Sequence, residues 1–130
     1  MNQETIVRDF FLGLIRLHIL YHGAQGPIFG LQLIQELGTH GYELSAGTLY
    51  PILHRLEREG FLASQKQVVQ GKVRKYYRTT ESGQEVLREA SGKVLALIDE
   101  LGISSGTAPA SASAPVPEGE ASPRSEKEPR

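Results

Sequence analysis

The residues best equipped for chemistry crowd into one stretch, S-A-G-T-L-Y-P-I-L-H-R-L-E-R-E-G-F-L, from Ser45 to Leu62. Ser45 and Thr48 bring hydroxyls, Tyr50 a phenol, His54 an imidazole, and Arg55 and Arg58 two guanidinium forks, around the small Gly47 and the rigid Pro51. Hydroxyls, planar rings and guanidinium groups match phosphate oxygens and base edges. Catalysis fits them poorly. Ser45, His54 and Glu57 can be strung into a triad on paper, but nucleophile and base would share one helix without a glycine-rich oxyanion turn, so no enzyme is expected. His18 and His22 stand four apart, a spacing that on a helix can bring two imidazoles to one metal. No neighbouring carboxylate or cysteine completes that pair, and ordinary buried histidines are the expectation, with no metal and no cofactor.

Leu49, Ile52, Leu53 and Leu56 recur at three-and-four spacing, which predicts an amphipathic helix with these four on its buried stripe and the polar set largely off it. Ser45 or Thr48 can cap the start, Ser45 being the expected one, and Gly60 stands where a left-handed residue usually closes a helix. Pro51 costs little in a first turn but crowds the carbonyl four residues back when deeper, and Gly47 relieves part of that crowding. Next come two runs rich in β-branched and aromatic residues, Phe61 to Val69 and Val73 to Thr79, joined around Gln70-Gly71-Lys72, which read as a hairpin. By the period of two, Lys72, Arg74, Tyr76 and Arg78 share one face, with Val73, Lys75 and Tyr77 on the other. A helix that stops at glycine and runs into a basic hairpin is the pattern of a winged helix. From Ser45 to Thr80 seven basic residues stand against Glu57 and Glu59, a local excess of five positive charges in a 130-residue chain whose net charge is −1. Placement rather than total charge governs binding to nucleic acid.

The remaining elements must position this pair. From Glu4 to Tyr21, Val7, Phe10, Phe11, Leu14, Ile15, Leu17, His18 and Tyr21 follow helical spacing, with further apolar residues between them. A helix apolar over most of its circumference needs burial on more than one side, so a partner subunit is expected to cover part of it. The run Phe10 to Tyr21 holds Arg16 and His18 and is too short to span a bilayer, so the protein is expected to be cytoplasmic, with no membrane partner. His22 to Pro27 is a turn cluster, Pro27 presets a second helix from Ile28 to Leu37 ending near Gly38, and two short helices then form a helix-turn-helix. After the hairpin, Thr80 or Ser82 caps a last helix in which Val86, Leu87, Ala90, Val94, Leu97, Ile98 and Leu101 make a seam like that of a coiled coil. From Gly102 onward Gly, Ser, Ala, Pro and Glu dominate, and the expectation is a disordered tail over 103–130. The absence of cysteine excludes disulfides and thiolate metal sites. The fold expected is therefore mainly α with a β-hairpin: a winged helix-turn-helix over 1–80 plus a C-terminal dimerisation helix over 81–102.

The Ser45 to Leu62 string, followed by a hairpin ending R-K-Y-Y-R-T-T-E-S-G and preceded by G-P-I-F-G-L-Q-L-I-Q-E-L, closely resembles the PadR family of bacterial transcriptional regulators. The match runs from about Val7 to Leu101 and is most specific over Gly47 to Pro51. The resemblance implies a homodimer, usually a repressor, whose winged helices each meet half of a palindromic operator in double-stranded DNA. It implies DNA-binding roles for Thr48, Tyr50 and His54 on the recognition helix and for Lys72, Arg74 and Lys75 on the wing; Ser45, Gly47, Pro51 and Arg55 complete the expected surface. The single helix after the wing is similar to short-tailed members, in which first and last helices build the dimer, here Phe10, Phe11, Leu14, Val94, Leu97, Ile98 and Leu101. Members of the family can bind small phenolic or planar hydrophobic ligands between subunits. This chain departs from an aromatic sandwich in having no Trp and no aromatic residue in its last helix. The alternative outside DNA binding is a winged-helix protein-interaction adaptor.

Overall fold

A computed structural model describes residues 1–103; all but the first residue of the tail expected over 103–130 lies outside the described residues. Seven elements follow in order: α1 (Gln3–Gln25), β1 (Ile28–Phe29), α2 (Gly30–Thr39), α3 (Ala46–Arg58), β2 (Leu62–Val69), β3 (Lys72–Thr79) and α4 (Glu81–Leu101). The fold is mainly helical with one small antiparallel sheet, as expected for a winged helix. The core is formed where Ile15, Ile19 and Leu20 of α1 meet Leu33 and Leu37 of α2, Leu49, Leu53 and Leu56 of α3, and Ile28, Leu62 and Tyr77 from the sheet. Burying each such aliphatic side chain stabilises the fold by about 1.5–3 kcal/mol.

The caps explain where the helices stop. Ser45 Oγ accepts from the Thr48 N–H at 3.2 Å and starts α3, as the sequence predicted. At the other end, Gly60 takes φ +89°, its N–H donates to the Glu57 carbonyl, and the Phe61 N–H donates to the Leu56 carbonyl at 2.9 Å. This doubly bonded reversal satisfies the last carbonyls and needs a residue without a side chain at the left-handed position. The same device closes α2, with Gly41 at φ +89° and the Tyr42 N–H on the Leu37 carbonyl. The expected stop near Gly38 is met within a residue, α2 ending at Thr39 with His40 as cap.

Two expectations change. The first helix continues through the His22 cluster to Gln25. Pro27 starts a strand rather than a helix: Ile28 pairs with Tyr77 and Phe29 with Tyr76, so the wing hairpin gains a third strand and the sheet order is β1-β3-β2. Helix α2 begins only at Gly30, where Gln32 Oε1 accepts from the Phe29 N–H at 3.4 Å. In the hairpin, Gln70 and Gly71 both have positive φ, 53° and 79°, which matches the tight two-residue turn favoured by twisted strands.

The sheet is tied to the helices by threonines. Thr79 is buried, and its hydroxyl donates to the Leu20 carbonyl of α1 at 2.8 Å. Thr80 accepts from the Gly83 N–H at 3.1 Å, capping α4, while donating to the Gly60 carbonyl at 2.7 Å. Ser82 donates to the same carbonyl at 3.2 Å. The turn that ends α3 and the turn that begins α4 are therefore one junction.

Candidate nucleic-acid interface

Helix α3 buries Leu49, Leu53 and Leu56 and presents the opposite side, with Ser45, Gly47, Pro51, His54, Arg55 and Arg58 exposed. Thr48 is half-buried beside its capping partner, the two hydroxyls 3.4 Å apart. Tyr50 is half-buried because its ring packs on Gly30; a β-carbon there would collide with the phenol. The ring is thereby held on the outer side of the helix pair, with the His54 ring one turn further at 6.2 Å. Ser45 is thus paired with Thr48, and Tyr50 with His54, along α3, with the exposed Gly47 between Ser45 and Thr48 in the chain. Pro51 and Arg55 turn elsewhere. They border an apolar groove of about 840 Å³ together with Phe10, Leu14, Leu17 and Val94 from the first and last helices, and Arg55 is held by Glu59 at 3.1 Å.

The wing separates its cations by strand face, following the predicted alternation. Lys72 and Arg78 are exposed. Arg74 lies 4.4 Å above the centre of the Phe29 ring, which itself meets Tyr76 edge-on at 5.3 Å. A guanidinium stacked on an aromatic face keeps its charge while losing conformational freedom. The expected helix from Ile28 to Leu37 does not single out Phe29, which lies instead in a strand of two residues, too short to show a period. Lys75 and Tyr77 point the opposite way, and Tyr77 is the buried tyrosine of the pair.

Lys75 meets Glu57 of α3 at 3.3 Å, and Glu57 also accepts a hydrogen bond from Ser64 of β2. The Ser64 hydroxyl, and then Lys75, hold the Glu57 carboxyl below its ordinary value of 4.5 against the opposing effect of burial. Burial also works against the Lys75 ammonium, but Glu57 and Tyr77 outweigh it and raise its pKa. Because the Glu57 pKa is depressed on folding, its contribution is present above pH 4.5 and is lost as pH falls through the folded value. Urea unfolding followed from pH 6 to pH 3 is expected to show this loss, and Glu57→Gln to flatten that part of the profile relative to the parent chain. The effect is small because the pair is partly solvated.

At the far side of the molecule His18 is half-buried, and burial followed by the neighbouring His40 lowers its pKa from 6.5. The fold places His40, the cap of α2, against the His18–His22 pair.

The pattern of the transcriptional regulator PadR-like family matches residues 17–89. The transcriptional regulator Rv3488 of Mycobacterium tuberculosis is 49% identical over 83 residues, covering 64% of this chain and 78% of that protein. Among solved structures, a PadR family transcriptional regulator from Eggerthella lenta superposes with a TM-score of 0.62 at 38% identity, over 76% of this chain and 91% of its own. A PadR-like transcriptional regulator from Bacillus cereus gives 0.62 at 31% identity, over 72% and 95%.

Proposed function

Since the chain belongs to the PadR-like family of transcriptional regulators, which bind DNA and are typically dimeric rather than enzymatic, we propose that it is a homodimeric repressor of a palindromic operator. The observation that carries this reading is the outward grouping of Ser45, Gly47, Thr48, Tyr50 and His54 on α3 beside a wing that exposes Lys72 and holds Arg74 extended over Phe29. Helix α3 enters the major groove, and Lys72 and Arg74 lie along the adjacent phosphates. Pro51, Arg55 and Lys75 support this surface: the first two border the groove, and Lys75 locks the wing to α3 through Glu57. Residues 1–80 form the DNA-binding unit and 81–102 the dimerisation helix. In the dimer, Phe10, Phe11 and Leu14 of one subunit and Val94, Leu97, Ile98 and Leu101 of α4 are covered by the partner. The groove reaches from these helices to α3, and a small hydrophobic ligand seated in it would release the operator. No helix among the described residues is long and apolar enough to cross a membrane, in keeping with action in the cytoplasm.

The test is binding to promoter DNA by fluorescence anisotropy over a series of salt concentrations. The two cations per subunit assigned to phosphates, Lys72 and Arg74, give a slope of log affinity against log salt of about −4 for the dimer. Lys72→Ala is expected to weaken promoter and scrambled DNA alike and make the slope shallower by about 2. His54→Ala is expected to lose binding to the promoter alone, by about 1–3 kcal/mol for each lost base contact. Equal, salt-insensitive affinity of parent and both variants would instead indicate an adaptor.

A further inference from the structure

Three of the chain's four histidines meet at a place the DNA surface does not use. His18 and His22 lie one turn apart on α1, and His40 is the cap that ends α2. The rings are 5.3 Å apart between His18 and His40, 6.1 Å between His18 and His22, and 6.3 Å between His22 and His40. One nitrogen from each lies within 4.8 Å of the other two. Tyr42 packs against His18 at 5.0 Å and braces it from the side. Residues distant in sequence thus converge from two helices, and His40 stands exposed, leaving an entry path from solvent.

We propose that His18, His22 and His40 bind one divalent transition-metal ion, with zinc as the probe. A neutral imidazole offers one nitrogen lone pair, and three such donors suit zinc, cobalt, nickel or copper, whereas calcium and magnesium require oxygen ligands. Bonds of about 2.0–2.1 Å in a tetrahedron put nitrogens roughly 3.3 Å apart, so the widest separation closes by about 1.5 Å through side-chain rotation. Three protein ligands leave a fourth position for water. Bound metal joins the last turns of α1 to the end of α2, immediately before the turn into α3. The site does not depend on the DNA reading.

The experiment uses the untagged full chain, stripped with EDTA, dialysed and titrated with zinc chloride by calorimetry. The expected result is one zinc per chain with a dissociation constant in the micromolar range or tighter. His40→Gln and His22→Gln should each weaken uptake at least tenfold. His40 is exposed, so its replacement keeps the fold, which melting in EDTA verifies. Cobalt(II) added to the parent chain gives a readout free of any variant: the intense visible bands of a tetrahedral ion are expected. Absence of zinc uptake, uptake unchanged in both variants, or the weak spectrum of a fully hydrated cobalt ion would each overturn the site.

Discussion

Gly83→Ala is expected to destabilise the protein by about 2 kcal/mol and to lower its melting temperature by roughly 8–16 °C. Gly83 is buried in the first turn of α4, and a β-carbon built on it would collide with the Phe61 carbonyl and come within 2.7 Å of Thr79 Cγ2. The carbonyl belongs to the backbone and also accepts the Thr80 N–H at 3.1 Å, so it cannot retreat without breaking the junction. Alanine should gain about 1 kcal/mol in a helix over glycine, but overpacking against fixed backbone costs about 3 kcal/mol, and the second effect wins. Gly92 in the same helix supplies the contrast. A β-carbon there meets nothing within 4 Å in the isolated chain, so Gly92→Ala should stabilise it by about 0.5–1 kcal/mol. Urea unfolding of both variants decides the matter; equal changes of the same sign would refute the packing account.

The second large effect concerns assembly. Leu97→Glu is expected to leave the subunit folded, abolish the dimer and reduce promoter affinity at least 100-fold. In the single chain Leu97 is 48% exposed and Phe10 59% exposed, so a carboxylate at position 97 is tolerated by the subunit itself, within about 0.5 kcal/mol. Across an apolar interface it is not, because the charge loses its water without gaining a partner. On the proposed palindromic operator a monomer would engage one half-site only and forfeit the factor of about 10²–10⁴ that linked binding supplies. Sedimentation of the variant reads the assembly and anisotropy reads the DNA. A dimer of unchanged strength would show that α4 pairs through another face.

Much of this surface could be read in the sequence because it rests on local rules. Ser45 as cap, Gly60 as helix stop and the turn around Gln70-Gly71 each depend on residues within a few positions and are found as expected, and of the two candidate caps for the last helix the structure takes Thr80 rather than Ser82. The short strand Ile28–Phe29 was not readable, since two residues have no period and their pairing with Tyr76 and Tyr77 is set by tertiary contact. Strand alternation put Tyr76 and Tyr77 on opposite faces, yet which one is buried depends on the helices packing against that face. Lys75 illustrates the same limit. Its sign was legible, but its partner Glu57 lies on another element and turns the cation toward α3. His40 joins His18 only through the packing of α2 on α1, a relation that spacing along the chain cannot express.

The carbonyl of Gly60, shared by the hydroxyls of Thr80 and Ser82, makes the end of α3 and the start of α4 a single mechanical part. In the proposed dimer this turns the separation of the two recognition helices into a ruler graduated by the α4 pairing. The coupling then runs in both directions. If an occupant of the dimer groove alters the affinity for an operator by some factor, that operator must alter the affinity for the occupant by the same factor. An operator with half-sites moved apart should therefore select a different α4 pairing, and so reset the sensitivity of the regulator without changing one of its residues.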